Sequence, residues 1–275
     1  MNGEGVPPRW QVAWHDQRRA WTNFSFRRHR RFDGYLVTMH QGGTHWLKYL
    51  LTLVITRELG LPQPRTISEN LVIGGPHERP PYATRPRLGH SHTIPGPLLR
   101  GLLYLPAAGF PRYVVLVRDM RDTLLAHYAK WGTRYACPFP EYLRGDFARR
   151  RFDKDIWWDI RFMNAWGAIA ARHPTRSLVV RYEDMRGDAR SWLARVVEFL
   201  AIPLADRDAA IDVALALASK DQMAALDLAP EGTPVVRDER RAWDDWYSAA
   251  DRAWLRAVCA RFLRHDFGYG YARWT

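Results

Sequence analysis

Two adjacent glycines follow a short apolar run near the start of the chain, and a threonine follows them. Residues 35–37 predict a buried strand, and from Thr44 onward apolar residues recur at helical spacing. A strand, a glycine turn and a helix N-terminus can form an anion site, because the first backbone N–H groups of a helix lack partners. Glycine lets a phosphate approach the backbone, and Thr44 is expected to cap the helix. An ordinary β–α turn fits these residues equally well, and the spacing is not that of a Walker loop.

A charged side chain follows a second predicted strand. Residues 112–118 form a continuous β-branched run that is typical of a buried parallel strand, and Arg118 stands at its carboxyl end. Open α/β sheets bind ligands at that end of their strands. An ion pair with Asp119 or Asp122 explains Arg118 as well.

Two histidines lie in a third strand-like stretch. His90 and His92 occupy alternate positions, so a strand would direct both to one side. They could bind a metal ion, but no third ligand has convincing spacing. A general base beside a phosphate site is the interpretation we favour. No metal site is therefore predicted.

Strands and helices alternate along the chain. This pattern predicts a single α/β domain, with three α/β/α layers around a central parallel sheet. Residues 60–87, 132–151 and 227–241 are predicted to be irregular. A further strand is predicted at 177–182, and helices are predicted at 153–172, 189–200, 208–225 and 249–263.

Residues 1–33 are predicted to form a basic arm rich in tryptophan, phenylalanine and arginine. Such a segment can stack on nucleic-acid bases or lie at a membrane interface. We favour an arm whose aromatic side chains pack onto the domain while its arginines face water. The domain itself is predicted to comprise residues 34–275.

The composition limits the classes of partner and compartment. Lys and Arg number 41 and Asp and Glu number 29, so the chain of 275 residues has a formal net charge of +12. This favours polyanionic partners, although an arginine-rich proteome gives the same excess. Two cysteines are too few for a disulfide framework, and a reducing, cytoplasmic setting fits best. We find neither a signal pattern nor an apolar run that could span a bilayer, so a soluble protein is predicted.

Several segments together resemble the sulfotransferases that use 3′-phosphoadenosine 5′-phosphosulfate (PAPS). The resemblance extends from about residue 35 to residue 267, and the order and spacing of its motifs carry it. It implies a P-loop-like nucleotide-binding fold. The motifs in this chain are His40-Gln41-Gly42-Gly43-Thr44-His45-Trp46-Leu47, His90-Ser91-His92, Arg118-Asp119-Met120-Arg121-Asp122, Tyr182-Glu183-Asp184, Glu198-Phe199-Leu200-Ala201-Ile202-Pro203 and Ser219-Lys220-Asp221-Gln222-Met223.

The resemblance also implies a role for each site residue. PAPS carries a 5′-phosphosulfate and a 3′-phosphate, so it needs two anion sites with an adenine slot between them. The glycine loop would hold the 5′-phosphate, Trp46 would stack on adenine, and Arg118 would bind the 3′-phosphate. His92 would deprotonate the acceptor, and Gln41 would stand at the bridging oxygen. The implied donor-binding residues are Gly42, Gly43, Thr44, His45, Trp46, Arg118, Tyr182, Ser219, Met223 and Arg237.

Two positions and one loop depart from the family pattern. Gln41 replaces the lysine that steadies the bridging oxygen, so it brings a hydrogen-bond donor without positive charge. Ala126 replaces a serine that helps to bind the 3′-phosphate. The late loop at 236–243 keeps arginines but has no glycine, and Arg237 aligns only across a one-residue gap. An active enzyme, an enzyme with another donor and a binding protein without turnover are all compatible with these changes.

We predict a PAPS-dependent sulfotransferase that moves a sulfuryl group to a hydroxyl or amine of a small molecule. The acceptor would be an alcohol, a phenol or an amine, PAP would be the product, and no metal would take part. The alternative is an impaired protein that binds a nucleotide or sulfated ligand without turnover. A nucleic-acid or membrane-surface role for the basic arm ranks below both, so no nucleic-acid partner is predicted. No motif in the sequence specifies the acceptor, and a homodimer is compatible with it.

Overall fold

A single parallel sheet forms the centre of the molecule. The computed structural model describes residues 5–21, 24–75, 77–79, 81, 86–96, 109–148, 151–227 and 243–273, with the backbone alone at 18–21 and 24–26. The sheet order is β2-β3-β1-β4-β5, and each neighbouring pair runs parallel. The strands are β1 (Gly34–Thr38), β2 (Ile73–Gly74), β3 (Leu88–Ser91), β4 (Arg112–Val117) and β5 (Ser177–Arg181).

Helices connect the strands and cover both faces of the sheet. Short 3₁₀ turns occupy Phe24–Arg31 and Trp243–Asp245. No helix among the described residues is both long and apolar enough to cross a membrane. The α-helices are α1 (Arg9–Trp21), α2 (Thr44–Glu58), α3 (Met120–Tyr135), α4 (Phe139–Arg144), α5 (Ile156–Arg172), α6 (Tyr182–Gly187), α7 (Ala189–Phe199), α8 (Arg207–Leu217), α9 (Lys220–Ala225) and α10 (Ala249–Phe262).

Alternating strand residues divide the interior into two hydrophobic cores. Successive side chains of a strand point to opposite faces, so Tyr35 and Val37 enter one core and Leu36 enters the other. Leu124, Trp166 and Val258 of α3, α5 and α10 share the first core. Leu50, Val196 and Ile211 of α2, α7 and α8 share the second. The predicted three-layer α/β/α architecture is confirmed.

The secondary structure differs from the prediction at several positions. The segment 60–87, predicted to be irregular, contains β2, which pairs with β3. The helix predicted at 208–225 is two helices, because Ser219 caps a second one and its hydroxyl accepts from the Gln222 backbone N–H. The segment 132–151 is not simply a loop, since α3 continues to Tyr135 and α4 follows Pro138 at its N-cap position. The division at Ser219 follows from local capping, which apolar periodicity alone does not detect.

The amino-terminal segment only partly follows the expected pattern. Val12 and Phe32 are buried in the same core as Tyr35, and the His29 ring stacks on Tyr35 with centroids 3.7 Å apart. Trp10 and Trp14, by contrast, are 69% and 62% exposed. The expectation that the arm packs its aromatic side chains onto the domain is therefore wrong for these two tryptophans. The boundary at residue 33 stays a prediction.

Candidate functional site

A tight turn joins β1 to α2 and brings two glycines to the carboxyl end of the central strand. The backbone N–H of Gly42 donates to the Met39 carbonyl at 3.0 Å, and a Cβ on Gly42 would lie 2.8 Å from that oxygen. Gly43 has φ +92°, and a Cβ there would lie 2.5 Å from the Tyr182 ring. Both positions therefore require glycine, because any side chain would collide with backbone or with an aromatic ring.

Thr44 anchors the turn instead of capping the helix. The N-cap of α2 is Gly43, which provides no side-chain hydrogen bond. The Thr44 hydroxyl instead lies 2.7 Å from the hydroxyl of Thr38. The expectation that Thr44 caps α2 is wrong, because Thr44 is already the first helical residue. The first N–H groups of α2 thus have no side-chain cap, which is the condition for binding an anion.

Arg118 extends from the end of β4 across the glycine turn. Its Nη1 donates to the Gln41 carbonyl at 3.0 Å, and its Nη2 lies 3.5 Å from the Asp122 carboxylate. The guanidinium carbon lies 4.6 Å from the centroid of the Tyr182 ring. Asp119 pairs with Arg121 instead, at 2.6 Å. Arg118 Nε is buried without a partner, so the guanidinium has donor capacity that the protein does not use.

Two aromatic side chains of the predicted adenine slot lie next to each other, and one of them, Tyr182, contacts Arg118. The Trp46 and Tyr182 rings meet edge to face, with centroids 6.1 Å apart. Met223 is buried in the same apolar cluster against which these two rings pack. Ser219 is exposed, and its hydroxyl caps α9. The structure thus brings Trp46 and Tyr182 together, places Met223 in the core on which they pack, and leaves Ser219 with a helix-capping role.

His92 follows β3 and is held by the end of β1. Its Nδ1 lies 2.8 Å from the carbonyl oxygen of Thr38 and 3.1 Å from the Thr38 hydroxyl. A carbonyl can only accept, so Nδ1 carries the proton and Nε2 carries the lone pair. Burial lowers the pKa of His92 below its usual value, and the bond to Thr38 opposes that shift. His92 is therefore neutral at pH 7 and can accept a proton at Nε2.

His90 and His92 do not act as a pair. The His90 ring contacts the Gly74 carbonyl of β2 at 3.1 Å, whereas His92 binds Thr38 of β1. The two rings therefore lie against different neighbouring strands. Among the described residues, no cluster of three or more histidine, cysteine, aspartate or glutamate side chains is arranged to hold a metal ion.

Gln41 and His45 bring no charge to the glycine turn. Gln41 has φ +61°, a left-handed conformation that is uncommon outside glycine. Burial lowers the pKa of His45 to about 4, and its Nδ1 has no partner. Arg237 lies outside the described residues. A groove of about 490 Å³ lined by Gly167, Ser177 and Arg264 among others contains none of the predicted site residues.

A family of known proteins matches most of the chain. The sulfotransferase domain family matches residues 33–231. The chain belongs to the sulfotransferase family. A curated relative described as flavonol sulfotransferase-like, from Flaveria bidentis, is 24% identical in an alignment 190 residues long that covers 63% of this chain and 59% of the relative. This sulfotransferase chain therefore covers less than two thirds of that relative's length.

Two solved structures share the fold. Mouse sulfotransferase SULT7A1 complexed with PAP has a TM-score of 0.54 at 13% identity, over 92% of this chain and 95% of the other. Retinol dehydratase, solved with androsterone and the inactive cofactor PAP, has a TM-score of 0.50 at 14% identity, over 92% and 88% of the two chains. At these identities the likeness establishes the sulfotransferase fold and leaves the substrates of this chain to be proposed.

A buried ion pair behind the site is a feature that the sequence did not reveal. Lys154 Nζ lies 2.8 Å from Asp159 Oδ2, and both side chains are 0% exposed. Thr123 donates to the same carboxylate at 3.1 Å. Burial raises the pKa of Asp159 to about 6 and lowers the pKa of Lys154, while each partner opposes the shift of the other. The charged stretch around Lys154 has the composition of a surface segment, so no sequence signal marks the pair as internal.

Gly43→Ala should disrupt the glycine turn and, with it, the predicted anion site. The new methyl group would meet the Tyr182 ring and the left-handed backbone would be strained, at a cost of about 1–3 kcal/mol. We expect PAP affinity to fall at least ~10-fold. Isothermal titration calorimetry measures the affinity.

Gly60→Ala is the matched control for that variant. Gly60 also has positive φ, +62°, but no atom lies within 4 Å of its Cβ position. The Gly60→Ala variant should be somewhat less stable than the wild type and should keep the wild-type affinity for PAP. If both variants bind PAP equally well, the turn is not the anion site.

Proposed function

We propose that this chain transfers a sulfuryl group from PAPS to a hydroxyl or amine of a small-molecule acceptor. The observation that carries the proposal is a convergence at one edge of the sheet. The glycine turn, His92, Arg118 and Tyr182 directly follow β1, β3, β4 and β5, so all four lie at the edge where the parallel strands end. A crevice at that edge is where open α/β sheets bind ligands.

The residues of the site fit a donor with two anionic ends. The uncapped N-terminus of α2 suits the 5′-phosphosulfate, since its N–H groups and the helix dipole favour negative charge. Arg118 suits the 3′-phosphate, because a guanidinium offers paired donors and its Nε is unused. Trp46 and Tyr182 offer aromatic surface for adenine between the two. Ala126 contributes no hydroxyl, so in this proposal Arg118 carries more of the 3′-phosphate recognition.

The chemistry requires one base and in-line geometry. His92 Nε2 takes the proton of the acceptor as the acceptor oxygen or nitrogen bonds to sulfur. The bond between sulfur and the phosphate oxygen breaks, and its electron pair leaves with PAP. Thr38 holds Nδ1, so the lone pair of Nε2 keeps a fixed direction during the transfer. We propose the acceptors to be alcohols, phenols or amines.

The first test measures the melting temperature of the protein as PAP is titrated in, with AMP and ATP as control ligands. A ligand that binds only the folded state raises the melting temperature, and at a fixed concentration the rise grows with the logarithm of its affinity. A shift selective for PAP supports the donor site, and release of PAP from PAPS with phenolic and amine acceptors then tests turnover. PAP binding without turnover on any acceptor would favour a binding protein, and no binding would contradict the proposal.

Arg118→Met should remove most of the preference for PAP over AMP. A hydrogen bond to a charged group contributes about 1.5–3 kcal/mol, so PAP affinity should fall ~10- to 100-fold while AMP affinity changes little. Calorimetric titration with both nucleotides measures the ratio.

Arg112→Met serves as the control for the Arg118 variant. Arg112 lies at the other end of β4, where its side chain donates to the Phe199 carbonyl. This variant should keep the preference for PAP. Equal loss of AMP and PAP affinity in Arg118→Met would show that Arg118 supports the fold and does not read the 3′-phosphate.

A further inference from the structure

The ring of His40 lies directly against the proposed base. The centroids of His40 and His92 are 3.9 Å apart, and their planes differ by 27°, so the rings stack. Trp158 of α5 meets His40 edge to face at 4.7 Å, and His127 of α3 lies at 6.3 Å. His40 belongs to the glycine turn, one residue before Gln41. The stack therefore joins the turn to the end of β3.

His40 differs from His92 and His127 in the hydrogen bonding of its ring nitrogens. His92 Nδ1 binds Thr38, and His127 Nε2 lies 2.9 Å from the Tyr135 hydroxyl. No hydrogen bond joins either ring nitrogen of His40 to any described residue, and His40 is not fully enclosed. A polar ring in this position can form hydrogen bonds with a bound molecule.

The surroundings of His40 keep it neutral. Burial lowers the pKa of His40 well below its usual value. His92 beyond β3, Lys154 before α5 and His127 on α3 act in the same direction, because positive charge near the ring disfavours a second proton. A neutral imidazole has one N–H donor and one acceptor. His40 therefore offers a single N–H to a ligand at neutral pH.

Gln41 brings no positive charge to the turn. Its carbonyl is bound by Arg118, and its side chain carries no charge. We propose that His40 donates its N–H to an oxygen of the transferring sulfuryl group, and so takes over part of the function that a lysine at position 41 would have. This inference rests on the proposed function and adds a catalytic residue to it. The proton balance is unchanged, since the acceptor proton goes to His92 and His40 keeps its own.

The proposal predicts that loss of His40 weakens binding of PAPS and not of PAP, because PAP lacks the sulfuryl group. His40→Phe keeps a ring to stack on His92 and removes the donor. We expect PAP to bind this variant within about 2-fold of the wild type, while PAPS affinity and kcat each fall ~10-fold or more. His40→Asn restores a donor without the ring and should recover part of the PAPS affinity. Calorimetry with both nucleotides and PAP-release kinetics provide the values.

The outcomes distinguish this proposal from the proposed function. If the wild type does not bind PAP, the function fails. If the wild type binds PAP and His40→Phe keeps wild-type PAPS affinity and kcat, the role of His40 is overturned. If the variants do not fold, the pKa of His40 in the wild type can be measured by NMR with PAP bound and with PAPS bound. PAPS should raise the pKa of His40 more than PAP does, and equal effects of the two nucleotides would contradict the proposal.

Discussion

His92→Ala should reduce turnover by about 10²–10⁴-fold, which is the usual contribution of a general base. PAP affinity should stay within about 2-fold, because in the proposed mechanism His92 acts on the acceptor and not on the nucleotide. The measurement is PAP release from PAPS with a panel of phenols and amines, alongside calorimetric titration with PAP. A variant that keeps more than about a tenth of the wild-type kcat would rule out His92 as the base.

His90→Ala is the matched control for His92→Ala. His90 lies two residues earlier and contacts the Gly74 carbonyl on the other side of β3. Its loss should affect the melting temperature more than turnover. Turnover lost in His90→Ala and kept in His92→Ala would move the base to His90.

The pH profile gives a second test of the same base. His92 must be neutral to accept a proton, and burial lowers its pKa, so neutrality extends below the ordinary value of 6.5. We expect kcat to stay level as pH falls to 6.5 and to decline only below it. Saturating donor is required, because a phosphate monoester itself titrates near pH 6. A decline centred above pH 6.5 would contradict the assignment.

Lys154→Met should have the largest effect on stability. Removing one partner of a buried ion pair leaves the other charge uncompensated, which costs about 3–5 kcal/mol. Asp159 would keep only the bond from Thr123 in a site that is 0% exposed. Urea denaturation measures the free energy of unfolding. The double variant Lys154→Met, Asp159→Leu should recover much of the stability that the single variant loses.

Asp153→Asn is the control from the neighbouring position. Asp153 pairs with Arg134 at 3.4 Å, and these side chains are 67% and 66% exposed. An exposed pair contributes about 0–1 kcal/mol, so this variant should unfold almost as the wild type does. If Lys154→Met also costs less than about 1 kcal/mol, the lysine is not a charged internal group.

The repeating patterns of the sequence predicted much of the fold. Apolar runs at the positions of β1, β4 and β5 predicted strands of a parallel sheet, because a strand covered on both faces must be apolar throughout. The glycine pair predicted the turn before α2, since few other residues tolerate its geometry. Capping residues such as Ser219 divided one predicted helix into two.

The sequence by itself determined the fold class, the glycine turn and the set of residues at the carboxyl ends of the strands. These depend on local preference and on periodicity, which are written along the chain. The tertiary structure alone decided which groups meet there. The stack of His40 on His92, the Tyr182 ring over Gly43 and the burial of Lys154 with Asp159 join residues that are distant in sequence or lie in stretches with the composition of a surface segment. Partners and burial are set by packing of the whole chain, and packing changes pKa values and hydrogen-bonding capacity in ways that no single segment encodes.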